Sequence, residues 1–267
     1  MLSDRYGRII DNIRISVTDY CNFGCIYCNK ASSENNKKLS IKQVALITRA
    51  ARSFGIKKIK LTGGEPLTHP EITGIVKEIV VCDPEIEVSV TTNGYYLKQL
   101  AGELYSSGVS RINISLDSLQ NDVFCSISGF DGLNEVLGGI NETIKYGFKG
   151  IKINTVFLDS VNSDEIERIR EFAGVSGIDF QLINRMELSD DKSLFEDIAR
   201  FDRPPICDRC SRLRITSDYK ILPCLFSSDE VDISSYATIE EALIYAASIK
   251  EYRGNKRNNR SMLTIGG

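Results

Sequence analysis

Six of the eight cysteines in this 267-residue chain fall into two tight groups, Cys21, Cys25, Cys28 and Cys207, Cys210, Cys224. The first group has the spacing C-x3-C-x2-C. Three thiolates on one loop can bind three corners of a four-iron cluster and leave the fourth iron open to a small molecule. Zinc is the alternative, but a structural zinc site wants four ligands. His69 is the single histidine of the chain, so a Cys3His site has one candidate. In the second group Cys210 is followed after thirteen residues by Cys224, with no histidine nearby and no further cysteine. A zinc knuckle is the weaker reading there, and a cluster with an open iron the stronger. Cys82 and Cys125 stand alone in helical stretches and read as small buried hydrophobes.

The elements that must position these thiols show a repeating pattern. Short β-branched runs at 12–18, 58–62, 87–91, 111–117, 151–157 and 179–184 alternate with amphipathic stretches at 41–54, 70–80, 97–107, 133–146 and 163–172. Such βα alternation predicts a parallel sheet with helical crossovers. No dinucleotide-binding glycine punctuation accompanies it. The expected fold is α/β, a partial (β/α)6 TIM-type barrel over residues 1–190. A C-terminal iron–sulfur-binding extension follows over 191–267, with a hairpin at 213–216 and 220–225 and a helix near 239–250.

Parity within the strands is more informative than their number. One face reads Ile13, Ile15, Val17; Ile59, Leu61; Val88, Val90; Ile112, Ile114, Leu116; Ile151, Ile153; Phe180, Leu182. Helices can cover that face. The other carries Arg14, Ser16, Thr18; Lys58, Lys60, Thr62; Glu87, Ser89, Thr91; Arg111, Asn113, Ser115, Asp117; Lys152, Asn154; Gln181, Arg185. A closed barrel fills its interior with branched apolar side chains, and strands buried on both faces read as continuous apolar runs. A polar inner face in all six strands therefore predicts an open barrel holding a polar ligand. Four of its cations, Arg14, Lys58, Lys60 and Lys152, point to an anionic one.

Composition narrows the partners. A hydrophobic content of 42% and a charged content of 26% are ordinary for a soluble globular protein. A net charge of -3 argues against a nucleic acid or a membrane held by bulk electrostatics. Charges run through the first fourteen residues, and no later stretch reaches the apolar length of a membrane span. The expected compartment is the cytoplasm, where a disulfide framework is not expected.

The first cysteine motif, its place after the first strand and the aromatic Tyr27 before its third thiol resemble the radical S-adenosylmethionine (SAM) superfamily. The resemblance implies that the open iron chelates SAM, and that the reduced cluster cleaves it to methionine and a 5′-deoxyadenosyl radical. Thr62-Gly63-Gly64-Glu65-Pro66 resembles the loop that binds the methionyl amine. Thr91 and Ser115 match positions that contact SAM.

The second thiol trio, Arg212-Leu-Arg214, the terminal Gly266-Gly267 and the run Arg14-Ile-Ser-Val-Thr-Asp-Tyr-Cys21 extend the resemblance over nearly the whole chain, to the GTP 3′,8-cyclase family of molybdenum cofactor biosynthesis. It implies two [4Fe-4S] clusters, SAM, an electron donor and GTP. In this family the second open iron binds guanine, the adenosyl radical takes hydrogen from ribose C3′, and that carbon attacks guanine C8. The product passes to cyclic pyranopterin monophosphate synthase. Arg14, Lys58, Lys60 and Lys152 match triphosphate-binding positions, Arg212 and Arg214 match residues near guanine and ring closure, and Gly266 and Gly267 match a tail inserted into the active site. Two departures stand out. The 187–206 segment is short for the family, and Gln181 replaces a phosphate-binding arginine, with Arg185 at the same parity beyond it. The competing expectations are a radical SAM maturase acting on a peptide and an iron–sulfur electron carrier.

Overall fold

A computed structural model describes residues 1–28, 36–185, 207–254 and 260–266. Six parallel strands form its centre: β3 (Asn12–Thr18), β4 (Lys58–Gly63), β5 (Glu87–Thr92), β6 (Arg111–Ser115), β7 (Gly150–Phe157) and β8 (Asp179–Asn184). The crossovers are α1 (Ile41–Ser53), α2 (Ile72–Cys82), α3 (Leu97–Ser107), α5 (Leu133–Tyr146) and α7 (Ile166–Val175). Each starts and ends close to where the periodicity put it. α1, for example, is opened by a capping box, in which Ser40 and Gln43 satisfy each other's free backbone donors.

The apolar face is the core. Ile13, Ile15, Val17, Ile59, Leu61, Val88, Val90, Ile112, Ile114 and Ile153 are buried in one continuous cluster with Val44, Ile47, Ile75, Ile79, Leu104 and Ile140 of the helices. The central strands run in the order β3-β4-β5-β6-β7-β8, which leaves β8 at one edge and does not return to the start, so the barrel is open. Its far edge is built by β9 (Arg212–Ile215), β10 (Lys220–Leu222) and β11 (Val231–Asp232). The expected hairpin is present as antiparallel β9 and β10, and β9 lies parallel to β3, so the C-terminal segment continues the barrel sheet. The second arm stops at Leu222 instead of 225 because Pro223 has no N–H to give the ladder.

Smaller elements escaped the sequence pattern. A two-stranded ribbon joins β1 (Leu2–Ser3) to β2 (Ile9–Ile10), α4 (Asn121–Ser128) follows β6, and α6 (Asp159–Asn162) follows β7. Of the two lone cysteines, Cys82 is buried as expected, but Cys125 is only half-buried on α4, its thiol 3.7 Å from the Asp131 carboxylate. α8 (Ile239–Ser248) packs beside β10 and β11, and α9 (Met262–Ile265) lies against β3 and β4.

Candidate active site

The first thiol loop leaves the C-terminal end of β3 and is fixed from two sides. Gly24 and Ile26 donate their N–H groups to the Ser128 and Ile127 carbonyls at the end of α4, at 2.7 and 2.9 Å. On the other side the Gly63–Gly64 turn presses against the backbone of 18–20. Gly64 and Glu65 donate to the Thr18 and Tyr20 carbonyls at 2.8 Å each. A Cβ on Gly63 would overlap the Thr18 carbonyl, and one on Gly64 the Tyr20 carbonyl. The close approach that requires glycine here is thus to the cysteine loop itself.

Glu65, named in the sequence only as part of its loop and given no role of its own, joins this turn to the end of β5. Its buried carboxylate accepts from Leu67 N (2.9 Å), Thr92 Oγ1 (2.7 Å) and Asn93 N (2.6 Å). Burial raises its pKa to about 7, against the pull of those hydrogen bonds. Asn93 in turn donates to Asn22 Oδ1 at 2.9 Å, inside the thiol loop. Tyr27 donates its hydroxyl to Asp117 Oδ2 at 2.7 Å, and Asp117 also accepts from Val156 N at 2.7 Å. Cys25, Tyr27, Asn93, Ser115 and Asp117 line one small pocket. Thr91 is half-buried on β5, outside that set.

Cys21, Cys25 and Cys28 are half-buried and close enough to influence one another's charge. Burial, then Glu65, pushes the Cys21 thiol up to about 12, and burial, then Cys28, raises Cys25. Burial is the largest influence on both thiols and disfavours their ionisation, and a bound metal would supply the positive charge that makes them thiolates. Among the described residues no three His, Cys, Asp or Glu side chains converge as ligands of a single ion. A four-iron cluster asks for no such convergence, because it takes each thiolate at a separate corner. His69 is no ligand candidate either: Nε2 donates to the Leu39 carbonyl (3.0 Å) and Nδ1 accepts from Glu71 N (3.1 Å). The donor set fits an iron–sulfur cluster better than zinc.

Cys207, Cys210 and Cys224 also come together. Cys210 N donates to the Cys207 carbonyl at 3.2 Å, and the Cys207 thiol is raised by burial and then by the two other sulfurs. Cys210 differs. Burial opposes its ionisation, but Lys250 and the Arg212 N–H outweigh it and lower the pKa. Buried Arg8 supports the set from the N-terminal ribbon. It pairs with Asp4 at 2.6 Å and donates to the carbonyls of Cys207, Glu251 and Tyr252 at 2.5, 2.8 and 2.9 Å.

Between the two thiol sets the inner face of the sheet carries one row of register partners. Arg214 lies beside Arg14, Arg14 beside Lys60, Lys60 beside Ser89, and Ser89 beside Arg111. Lys152 is one strand further on, beside Asn113, and Arg212 is beside Asn12. Burial lowers Lys60 to about 7, followed by the charges of Arg14, Arg212, Lys152 and Arg111. Burial also lowers Arg14, followed by Arg214 and Arg212, and it brings Arg214 to about 10. Five of the expected substrate residues therefore share one field. Arg111 joins them although it was not singled out. Lys58 stands apart, exposed at the start of β4 opposite Glu87. Gln181 sits beside Asn154 on β8, and Arg185 is exposed just beyond that strand. The shortened 187–206 segment and Gly267 lie outside the described residues.

The tail enters this lumen. Arg260 anchors it to the hairpin through Asp218 (2.9 Å) and Glu230. α9 then brings Gly266 beside Thr62, with φ at +71° and no room for a Cβ. Its carbonyl accepts from Arg214 Nη1 at 2.5 Å.

Comparison with known proteins agrees with this geometry. The Radical SAM superfamily profile matches residues 15–173. A GTP 3′,8-cyclase of Clostridium acetobutylicum is 32% identical, covering 90% of this chain and 89% of the relative. One from Helicobacter pylori is 34% identical, covering 87% and 85%. This chain belongs to the GTP 3′,8-cyclase family of radical SAM proteins. Solved structures share its fold at low identity. Streptococcus suis SuiB bound to S-adenosylmethionine has a TM-score of 0.70 at 18% identity, covering 87% of this cyclase-family chain, which spans 65% of SuiB. Native anSMEcpe with bound AdoMet has a TM-score of 0.66 at 13% identity, covering 90% and 81%. The open barrel is thus the radical SAM fold. A SAM-binding four-iron cluster goes with the superfamily. Among the described residues, no helix is long and apolar enough to cross a membrane.

Proposed function

We propose that this chain converts GTP to (8S)-3′,8-cyclo-7,8-dihydroguanosine 5′-triphosphate. The observation that carries the reading is the row of cations on the inner face, closed at one end by Gly266 on Arg214. Arg14, Lys60, Arg111 and Lys152 form a field suited to a triphosphate, and the Arg212–Arg214 end lies next to the second thiol set, where guanine would sit. Arg214 and Gly266 hold each other in place there, which orients the base and ribose and keeps water from the reacting carbon. Arginine, with its fixed fork of donors, suits that task.

Cys21, Cys25 and Cys28 hold the first cluster in this reading, with Tyr27, Gly63, Gly64, Thr91 and Ser115 around SAM. Cys207, Cys210 and Cys224 hold a second four-iron cluster. Bound and reduced, the first cluster with SAM supplies the 5′-deoxyadenosyl radical that abstracts the C3′ hydrogen. We also infer an external electron donor, hand-off of the product to cyclic pyranopterin monophosphate synthase, a cytoplasmic location, and a division into a barrel (1–190) and a cluster-bearing region (191–267).

The test compares Cys25→Ala with Cys210→Ala after anaerobic reconstitution, with GTP or a peptide as substrate. Cys25→Ala is expected to abolish 5′-deoxyadenosine formation. Cys210→Ala is expected to leave slow, uncoupled formation but no cyclised nucleotide. Undiminished product from Cys210→Ala, or turnover supported by peptide and not GTP, would overturn the reading.

A further inference from the structure

The largest completely buried side chain among the described residues is a cation, Lys250, 1% exposed. It follows α8 and points at the second thiol set. Its ammonium donates to the Arg212 carbonyl at 2.9 Å and the Pro223 carbonyl at 2.5 Å, and its charge acts on the Cys210 thiol. Arg212 is two residues after Cys210, and Pro223 immediately precedes Cys224. Two of the three donors of one ammonium are thus spent on backbone carbonyls beside these ligands.

Two carbonyl dipoles satisfy hydrogen bonds but do not cancel a unit charge. An ammonium buried without a counter-charge is strongly unfavourable. Lys250 has no carboxylate among these partners, and the group that can supply negative charge is the Cys210 sulfur. Arg8 does comparable work at Cys207, but its charge is already met by Asp4. Lys250 is therefore a fully buried cation whose charge is left for the ligand itself to meet.

We propose that Lys250 is a positioning residue of the second cluster: its ammonium sets the spacing of Cys210 and Cys224 and faces the Cys210 thiolate when the cluster is bound. The inference rests on the second-cluster reading above. A positive charge beside a ligand sulfur favours the reduced, more negative cluster, so Lys250 would raise its reduction potential.

The experiment uses the full-length chain, reconstituted anaerobically, with iron analysis and a redox titration followed by electron paramagnetic resonance. Cys207→Ala identifies the second-site signal. Lys250→Gln, which keeps a donor but not the charge, is expected to retain both signals and move the second midpoint to a more negative potential. Lys250→Met, which removes both, is expected to lose the second signal and keep the first. Wild-type loading and midpoints in both variants, or loss of both signals together, would overturn the role of Lys250. A wild-type chain that loads only the first cluster would instead overturn the second-cluster reading on which it depends.

Discussion

Lys60 sits at the centre of a row of like charges, which makes its proton affinity unusual. Its pKa in the folded chain is about 7, against an ordinary 10.5. Between those values the folded lysine is neutral while the unfolded one still holds its proton. The ligand-free protein is therefore expected to gain stability as pH rises through that window. An anion in the lumen binds the charged form, so GTP affinity is expected to fall as pH is raised through about 7. Calorimetry at fixed ionic strength would show this slope, and Lys60→Arg should flatten it. Identical slopes for the two proteins would count against Lys60 as a phosphate partner. Neutralising Arg14 or Lys152 is expected to weaken GTP binding tenfold or more, since a charge-assisted contact is worth about 1.5–3 kcal/mol. SAM binding should change less; equal loss of both ligands would point to a damaged fold. These cations were legible in the sequence because strand parity alone assigns their face. Glu65 was not legible, because its role depends on Thr92 and Asn93 of a different turn, and no local pattern announces that contact.

At the scale of elements, the six central strands and their crossovers were legible because each strand carries a clean two-residue alternation and each helix an apolar stripe. The short α4 was missed, since eight residues with two large buried side chains, Phe124 and Ile127, give too little periodicity. Yet its carbonyls hold the first thiol loop from one side, and the Gly63–Gly64 turn holds it from the other. Gly64→Ala is expected to displace that turn and leave the first cluster poorly loaded, while secondary structure by circular dichroism stays close to wild type. Iron content and 5′-deoxyadenosine yield measure the loss. Full loading in the alanine variant would mean that the turn can shift without moving the thiols.

At the scale of the whole molecule, the tail of the chain belongs to its centre. Gly266 fits between Thr62 and Arg214, so removing Gly266 and Gly267 frees the arginine from the contact that fixes it. The truncated protein is expected to keep both clusters and uncoupled 5′-deoxyadenosine formation, and to lose cyclised GTP. Product and 5′-deoxyadenosine measured side by side test this, and product at the full-length rate would reduce the tail to a passive end. Composition alone could not have given this placement, because terminal glycines are more often loose ends. The parallel pairing of β9 with β3 was equally illegible, since it depends on a contact across almost the entire chain.

That pairing gives the protein a direction in time. Arg212, the register partner of Asn12 on β3, is synthesised about 200 residues after it. Until then one edge of β3 stays bare, while the first thiol loop already has β4 to β6 and α4 to rest on. The second set must wait for Lys250, Glu251 and Tyr252. A growing chain therefore presents the first thiol trio in its folded setting well before it can present the second.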